Sequence, residues 1–267
     1  MLKRLLAHPL TVGLELDDPR TTELRRRLVR EKPFLRQIYL EWYRSLLAAL
    51  PDGGEPVLEI GSGAGFFGEV LPAAILSEVF PVSGVSTVLD AHALPVATGS
   101  LRGIVMTDVL HHLRAPARFL TEAARCVRGG GVVAMVEPWV TPWSRFVWGR
   151  LHHEPFEPDT PDWTIPAAGP LTGANGALPW ILFERDAERF ERTLPTWKVE
   201  SIQLSMPFRY LLSGGVSLRS LAPGWSFGLW RWIEERMDPW SATWGTFATV
   251  VLRRTEVPWH PVAEEAA

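Results

Sequence analysis

At 267 residues the chain is long enough to bury a full core as one domain with insertions, and its apolar content of 46% is ordinary for a globular protein. A net charge of -3 offers no basic field for nucleic acid, and a single cysteine, Cys126, excludes an internal disulfide framework and any multi-cysteine zinc site. No stretch reaches the roughly 20 apolar residues of a membrane span, so the unusual feature left is 13 tryptophans, most of them after Glu137.

Met1 to Ala7 begins like a signal peptide, but His8-Pro9 and then Asp17-Asp18 end the apolar run too early, and a soluble, cytoplasmic protein is expected. Asp17-Asp18-Pro19 followed by Thr21-Thr22-Glu23 reads as a helix start, with Asp17 on an idle surface turn. Arg25, Arg26, Arg27, Arg30, Lys32 and Arg36 then make a basic run, read as a solvated face. After Pro33 a second helix carries Leu35, Ile38, Tyr39, Trp42, Leu46 and Leu50 at helical spacing. Residues 1–50 are expected to supply helices that cap the substrate, and residues 51–267 the main domain.

Pro51-Asp52-Gly53-Gly54 turns into a short apolar run, Val57 to Ile60, with the pattern of a buried parallel strand. Gly61, Gly63 and Gly65 follow, and a helix can start at Phe66-Phe67. Further strands are expected from Ala73 to Val79, ending near Glu78, and from Val85 to Leu89, ending at Asp90. A fourth runs from Gly103 to Thr107, ending at Asp108. A helix over Ala115 to Val127 is stopped by Gly129-Gly130-Gly131, and Val132 to Val136 is a fifth strand. The rhythm then breaks into an insertion at about 139–179, rich in Pro, Gly, Trp and His. A helix over Trp180 to Leu194, a strand over Lys198 to Leu204, a second insertion at about 207–244 and a final strand over Thr246 to Leu252 complete the chain. Strands alternating with helices imply right-handed crossovers and a doubly wound, mostly parallel α/β sheet of seven strands.

A strand, a glycine turn and a helix N-terminus make a corner where a ligand can approach the backbone and meet free amides. The spacing is Gly-x-Gly-x-Gly, not the Gly-x-Gly-x-x-Gly that opens a dinucleotide site. Ligands of such sheets sit outside the carboxyl ends of the strands, where Glu59, Glu78, Asp90 and Asp108 all fall. Glu78, on the next strand after Glu59, stands where an acid can chelate two ribose hydroxyls, and Asp90 can accept from an exocyclic amine.

Taken in order, Val57 to Gly65, Asp90 to Pro95, Thr107-Asp-Val-Leu-His-His-Leu113 and Arg125 to Gly131 resemble the class I S-adenosylmethionine-dependent methyltransferases, in the small-molecule "type 11" branch. The resemblance spans roughly residues 55–137 and implies a Rossmann-like fold and S-adenosyl-L-methionine as cofactor. It also implies that Glu59, Gly61, Ser62, Gly63 and Gly65 hold the methionine end and ribose, and that Glu78 binds the ribose hydroxyls. Asp90 and Ala91 would address the adenine, with Thr107 and Asp108 lining the cofactor's other side. The sequence departs from the family at Arg102, where an aspartate is usual, and at Gly129, where proline is usual.

Methyl transfer is an in-line displacement in which alignment supplies most of the catalysis, and a base is needed only if the acceptor must lose a proton. His111, His112 and His153 are the catalytic candidates, with Glu137, His152 and Glu154 near them in sequence. Neighbouring His111 and His112 cannot both enter one site if the backbone is extended. His152-His153-Glu154 lacks the His-Glu-x-x-His spacing, so no metal is expected. In the second insertion Trp225, Leu229, Trp232, Ile233 and Met237 recur at helical spacing. They suggest an apolar lid over a small, hydrophobic acceptor, with peripheral membrane contact by the same helix as a variant. Rival readings are an NAD-dependent oxidoreductase and a cofactor-binding protein without turnover.

Overall fold

The central strands of the sheet are buried on both faces. The computed structural model describes residues 15, 17–151, 154–165, 169 and 171–257. Its strands are β1 (Val57–Ile60), β2 (Ile75–Glu78), β3 (Thr87–Val88), β4 (Leu101–Thr107), β5 (Val127–Pro138), β6 (Trp197–Ser205) and β7 (Phe247–Arg254). They lie in the order β3-β2-β1-β4-β5-β7-β6, with β1 to β5 parallel and β7 antiparallel between β5 and β6. The sequence-based expectation of a Rossmann-like, mostly parallel seven-stranded sheet holds.

Among the described residues the helices are α1 (Pro19–Glu31), α2 (Pro33–Ala49), α3 (Phe67–Val70), α4 (Pro116–Cys126) and α5 (Pro142–Leu151). Then come α6 (Leu178–Trp180), which runs through a π turn at Ile181–Arg185 into α7 (Ala187–Thr193), and α8 (Arg209–Ser213), α9 (Phe227–Arg236) and α10 (Ser241–Trp244). Leu58, Ile60, Ile104, Met106, Val133 and Met135 face one side of the sheet, where Phe119, Leu120 and Ala123 of α4 and Phe190 of α7 cover them. Val57, Val105, Val132, Ala134 and Val136 face the other side, against Phe34, Leu35, Ile38, Trp42, Tyr43 and Leu46 of α2. Strands apolar on both faces are what a sheet sandwiched between helices requires.

Local chemistry sets the helix starts. Asp18 caps α1 by accepting from the Arg20 amide, and Pro19 and Pro33 occupy first-turn positions where a missing N–H costs nothing. Asp17 is not idle: its carboxylate accepts from the amides of Leu171 and Thr172 and from the Thr172 hydroxyl, tying the start of α1 to the first insertion. Arg102 donates to the carbonyls of Glu55 and Pro51, so this departure from the family pattern braces the turn before β1, away from the ligand edge.

Two expectations fail. Gly129 to Gly131 do not end a helix in a loop; α4 stops at Cys126 and the glycines belong to β5. A Cβ on Gly131 would stand 2.8 Å from the Arg102 carbonyl, so glycine permits the close backbone approach at the start of the strand. The second insertion is not a lid built on its apolar stripe, because Trp225 is 85% and Trp232 50% exposed. The face of α9 that packs inward carries Phe227, Trp230 and Glu234 instead. Glu234 accepts from the amides of Phe208 and Arg209 and from the Arg209 guanidinium, which also reaches Glu41 of α2. A buried carboxylate with several converging donors dictates which way the helix turns, since leaving it unpaired would cost more than exposing the stripe.

Candidate functional site

Beyond β1 the chain makes the turn that the sequence announced. Gly61 is left-handed, at φ +69°, and a Cβ on Gly63 would fall 2.7 Å from the Glu78 carboxylate. That carboxylate accepts from the Gly63 amide (2.9 Å) and the Val79 amide (2.8 Å) and so pins the turn to the end of β2. The Ser62 amide donates to the Ser77 carbonyl, a second tie. From above, Arg26 of α1 donates to the Gly63 carbonyl (2.8 Å) and also reaches the Ser83 carbonyl. Of the basic run of α1, Arg26 therefore reaches the glycine turn, while Arg25 acts electrostatically on Asp108. Gly65 lies against the Tyr43 hydroxyl, which accepts from the Phe66 amide.

Three polar atoms at this edge are buried yet have no hydrogen bond of regular geometry: Glu59 Oε2, Ser62 Oγ and Thr107 Oγ1. Burial pushes the Glu59 carboxyl up to about 7, with the Glu78 charge adding to it and the Ser62 hydroxyl and Arg26 opposing. Asp90 stands apart and open, its side chain 66% exposed and bonded only within its own turn, to the amide and Nδ1 of His92. Ala91 is buried, so it can offer a ligand only its backbone.

Past β4, Asp108 adopts φ +62°, a left-handed conformation costly for a residue with a Cβ. The Glu137 carboxylate at the end of β5 holds the adjoining turn in place. It is fully buried and accepts from the amides of Val109 (2.9 Å) and Leu110 (2.7 Å) and from His111 Nδ1 (2.7 Å). The backbone from Leu110 to His112 is a tight 3-10 turn, not extended, so both histidine rings lie side by side with centroids 4.2 Å apart. His112 Nδ1 donates to the Gly173 carbonyl at 3.0 Å. His111 Nε2 has no hydrogen bond; Glu154 Oε2 stands 3.6 Å away and Asp108 Oδ1 3.9 Å. His152 and His153 lie outside the described residues.

Charge is concentrated here. Burial alone would lower the His111 pKa, but Glu137, Glu154 and Asp108 together hold it well above the usual imidazole value. His112 is pushed down to about 4 by burial and by its charged neighbour. Asp108 keeps 36% of its side-chain surface, yet it opens only onto a cleft ringed by protein, and that desolvation raises it to about 7.

The cleft has a mostly aromatic wall of Trp148, Phe156, Tyr210 and Phe247, with Asp108 and Glu154 at one side, and is narrow, its cavity volume of about 10 Å³ being room for roughly one water. Tyr210 packs edge-on against Phe247 at 4.7 Å and Trp148 at 6.0 Å. Sequence reasoning missed these walls. They come from α5, α8, β7 and the first insertion, and only folding assembles them.

Residues 58–135 match the family model described as a methyltransferase domain. Among solved structures the chain is similar to an S-adenosylmethionine-dependent methyltransferase from Thermotoga maritima described as a possible histamine N-methyltransferase. Identity is 16% over 87% of this chain and 99% of that one, with a TM-score of 0.51. It is also similar to geranyl diphosphate C-methyltransferase from Streptomyces coelicolor A3(2), at 12% identity over 94% of this chain and 89% of that one, TM-score 0.48. An S-adenosylmethionine-dependent methyltransferase from Mesorhizobium loti matches at 13% over 79% and 96%, TM-score 0.44. No curated protein matches.

Glu59 gives a prediction with a definite sign. Its folded pKa of about 7 lies above its ordinary value of 4.5, so its contribution to stability is intact below pH 4.5 and is lost as pH rises through about 7. Glu59→Gln should therefore gain stability on the ligand-free wild type across that window, reaching a plateau of up to about 3 kcal/mol above it. Urea denaturation of both proteins between pH 4.5 and 8 checks this. A difference independent of pH would show that Glu59 is not titrating in the fold.

Proposed function

We propose that this chain, a class I S-adenosylmethionine-dependent methyltransferase by its matched domain and its fold, methylates a small acceptor that enters the aromatic cleft beside Asp108. The observation that carries this reading is a set of buried polar atoms at the sheet edge without a hydrogen bond of regular geometry: Glu59 Oε2 and Ser62 Oγ, which interact with each other, and Thr107 Oγ1 at the end of β4. Buried polar groups are almost always paired, and a cluster of exceptions beside a turn that lacks Cβ atoms suits a ligand rich in amine and hydroxyl groups. S-adenosylmethionine has both, and when bound it supplies a methyl group on a sulfonium centre.

On this reading Glu59 and the turn of Gly61, Ser62, Gly63 and Gly65 hold the methionine end and ribose. Glu78 spends one lone pair of each oxygen on the Val79 and Gly63 amides and keeps the others for ribose hydroxyls. Asp90 and the Ala91 backbone serve the adenine, while Thr107 and Asp108 line the opposite wall. Arg26 and the rest of α1 close over the turn, which makes the N-terminal helices a cap on this site. The reaction asks for no general base unless the acceptor must lose a proton; holding nucleophile and methyl group in line supplies most of the rate.

The cleft selects the acceptor. Trp148, Phe156, Tyr210 and Phe247 favour an apolar body, and Asp108 with Glu154 favours one polar end. The exposed stripe of Trp225, Leu229 and Trp232, with Trp240 beyond it, suits a membrane surface where an apolar acceptor would be met.

Transfer from labelled S-adenosylmethionine to a panel of small apolar amines, phenols and acids identifies an acceptor, and variants then separate the two halves of the site. Asp90→Ala should weaken S-adenosylhomocysteine binding by about 10- to 100-fold, corresponding to about 1–3 kcal/mol for a lost hydrogen bond, with acceptor KM little changed. Tyr210→Ala and Phe156→Ala should do the reverse, raising acceptor KM at least about tenfold, a minimum near the cost of losing a buried aromatic wall. Parallel losses of both affinities in all three variants would contradict the division. For the membrane contact, Trp225→Ala and Trp232→Ala should reduce co-sedimentation with phosphatidylcholine–phosphatidylglycerol vesicles; wild-type protein that stays in the supernatant would rule the contact out.

A further inference from the structure

The histidine pair has the preparation of a metal site. His111 Nδ1 faces the Glu137 carboxylate, whose oxygens can only accept when ionised and which also takes two backbone amides. The Nδ1–H of the His111 ring is thereby directed at Glu137, and Nε2, whose proton the Glu154 and Asp108 carboxylates favour in the free protein, is the atom a metal ion would take in place of that proton. That nitrogen is wholly buried and has no hydrogen-bond partner. His112 repeats the arrangement: its Nδ1 donates to the Gly173 carbonyl, which leaves Nε2 as the free base nitrogen. Metal-ligating histidines are held in just this way, with the second ring nitrogen donating to a carboxylate or a backbone carbonyl.

We propose that His111, His112 and Glu154 bind one divalent transition-metal ion of the zinc class where the histidine turn meets the cleft, with one position left open beside Asp108. One donor atom from each of His111, His112 and Glu154 lies within 4.8 Å of the others. From His111 Nε2, Glu154 Oε2 is 3.6 Å away and Asp108 Oδ1 3.9 Å. These separations are too long for hydrogen bonds of good geometry. They approach the donor–donor edge of roughly 3.3 Å around a tetrahedral ion whose bonds are about 2.0–2.1 Å. Two imidazoles with carboxylates suit zinc, cobalt, nickel or iron, whereas magnesium and calcium take all-oxygen sites. Sequence spacing could not show it, since Glu154 lies far along the chain from His111 and arrives through the first insertion. The Gly173 carbonyl that orients His112 belongs to the same insertion.

Asp108 and Glu154 also line the cleft. If the reading of that cleft as the acceptor's place is correct, the ion's open position takes an oxygen or nitrogen of the acceptor. The metal site itself does not depend on that reading.

Full-length protein is stripped with a chelator, dialysed, and titrated with zinc chloride by calorimetry and with cobalt chloride by visible absorption. The expected result is roughly one equivalent bound at micromolar dissociation constant or tighter, with the intense visible bands of a cobalt ion in a four-coordinate site. His112→Asn and Glu154→Gln should each weaken zinc binding by at least about tenfold, and Glu137→Gln, which removes the orienting carboxylate, by about 10- to 100-fold. Circular dichroism and the thermal midpoint of each variant identify any that fail to fold. No stoichiometric zinc in folded wild-type protein overturns the proposal, as does equal zinc affinity in wild type, His112→Asn and Glu154→Gln. Titration of the same samples with S-adenosylhomocysteine keeps the two readings apart: zinc without the nucleotide would leave the metal site standing and remove the methyl-transfer reading.

Discussion

The Glu137 carboxylate is the interaction on which the ligand edge of the sheet depends. When β4 ends, the amides of Val109 and Leu110 no longer have partners in the strand ladder. Glu137, delivered by the neighbouring strand, accepts from both of those amides and from His111. A buried carboxylate without donors would cost several kcal/mol, so three donors converging on it make the tight turn the cheapest path for the chain. The left-handed Asp108, the side-by-side histidines and the direction of both into one corner follow from that single anchor.

Glu59 presents the opposite case on the adjacent strand. It is nearly as deeply buried, but one of its oxygens has no hydrogen-bond partner of regular geometry. Two acids at the same edge of one sheet thus differ in what the protein has done for them. Glu137 is satisfied internally and is architecture; Glu59 is left wanting donors beside a turn stripped of Cβ atoms and reads as part of a binding surface. The pKa of Glu59, raised to about 7 by burial, expresses the same deficit. A site that stores unfavourable desolvation in the free protein can release it when a ligand supplies the missing donors.

What was legible in the sequence was local. Strand β1 and its glycine turn are written in nine consecutive residues, and the parallel strands announce themselves as short apolar runs ending in Glu78, Asp90 and Asp108. Helix α2 shows its buried face directly in the spacing of Leu35, Ile38, Trp42 and Leu46. The misreadings were all non-local. Helix α9 carries two apolar faces, and the choice between them is made by Arg209 and Glu41, which bring Glu234 inward from other elements. The aromatic walls of the cleft lie on four separate segments. Even the histidine turn could not be judged in isolation, because whether its backbone was extended or tight depended on Glu137, a full strand away.

On the proposed reading, the edge formed by β1, β2 and β4 binds S-adenosylmethionine and its demethylated product. Calorimetric titration of the purified protein with S-adenosylhomocysteine and with NAD, under identical conditions, tests it most directly. Saturable binding of the sulfur nucleotide with no heat from NAD is the predicted result. Saturable binding of NAD with no response to S-adenosylhomocysteine would show that the edge is not a site for the sulfur nucleotide.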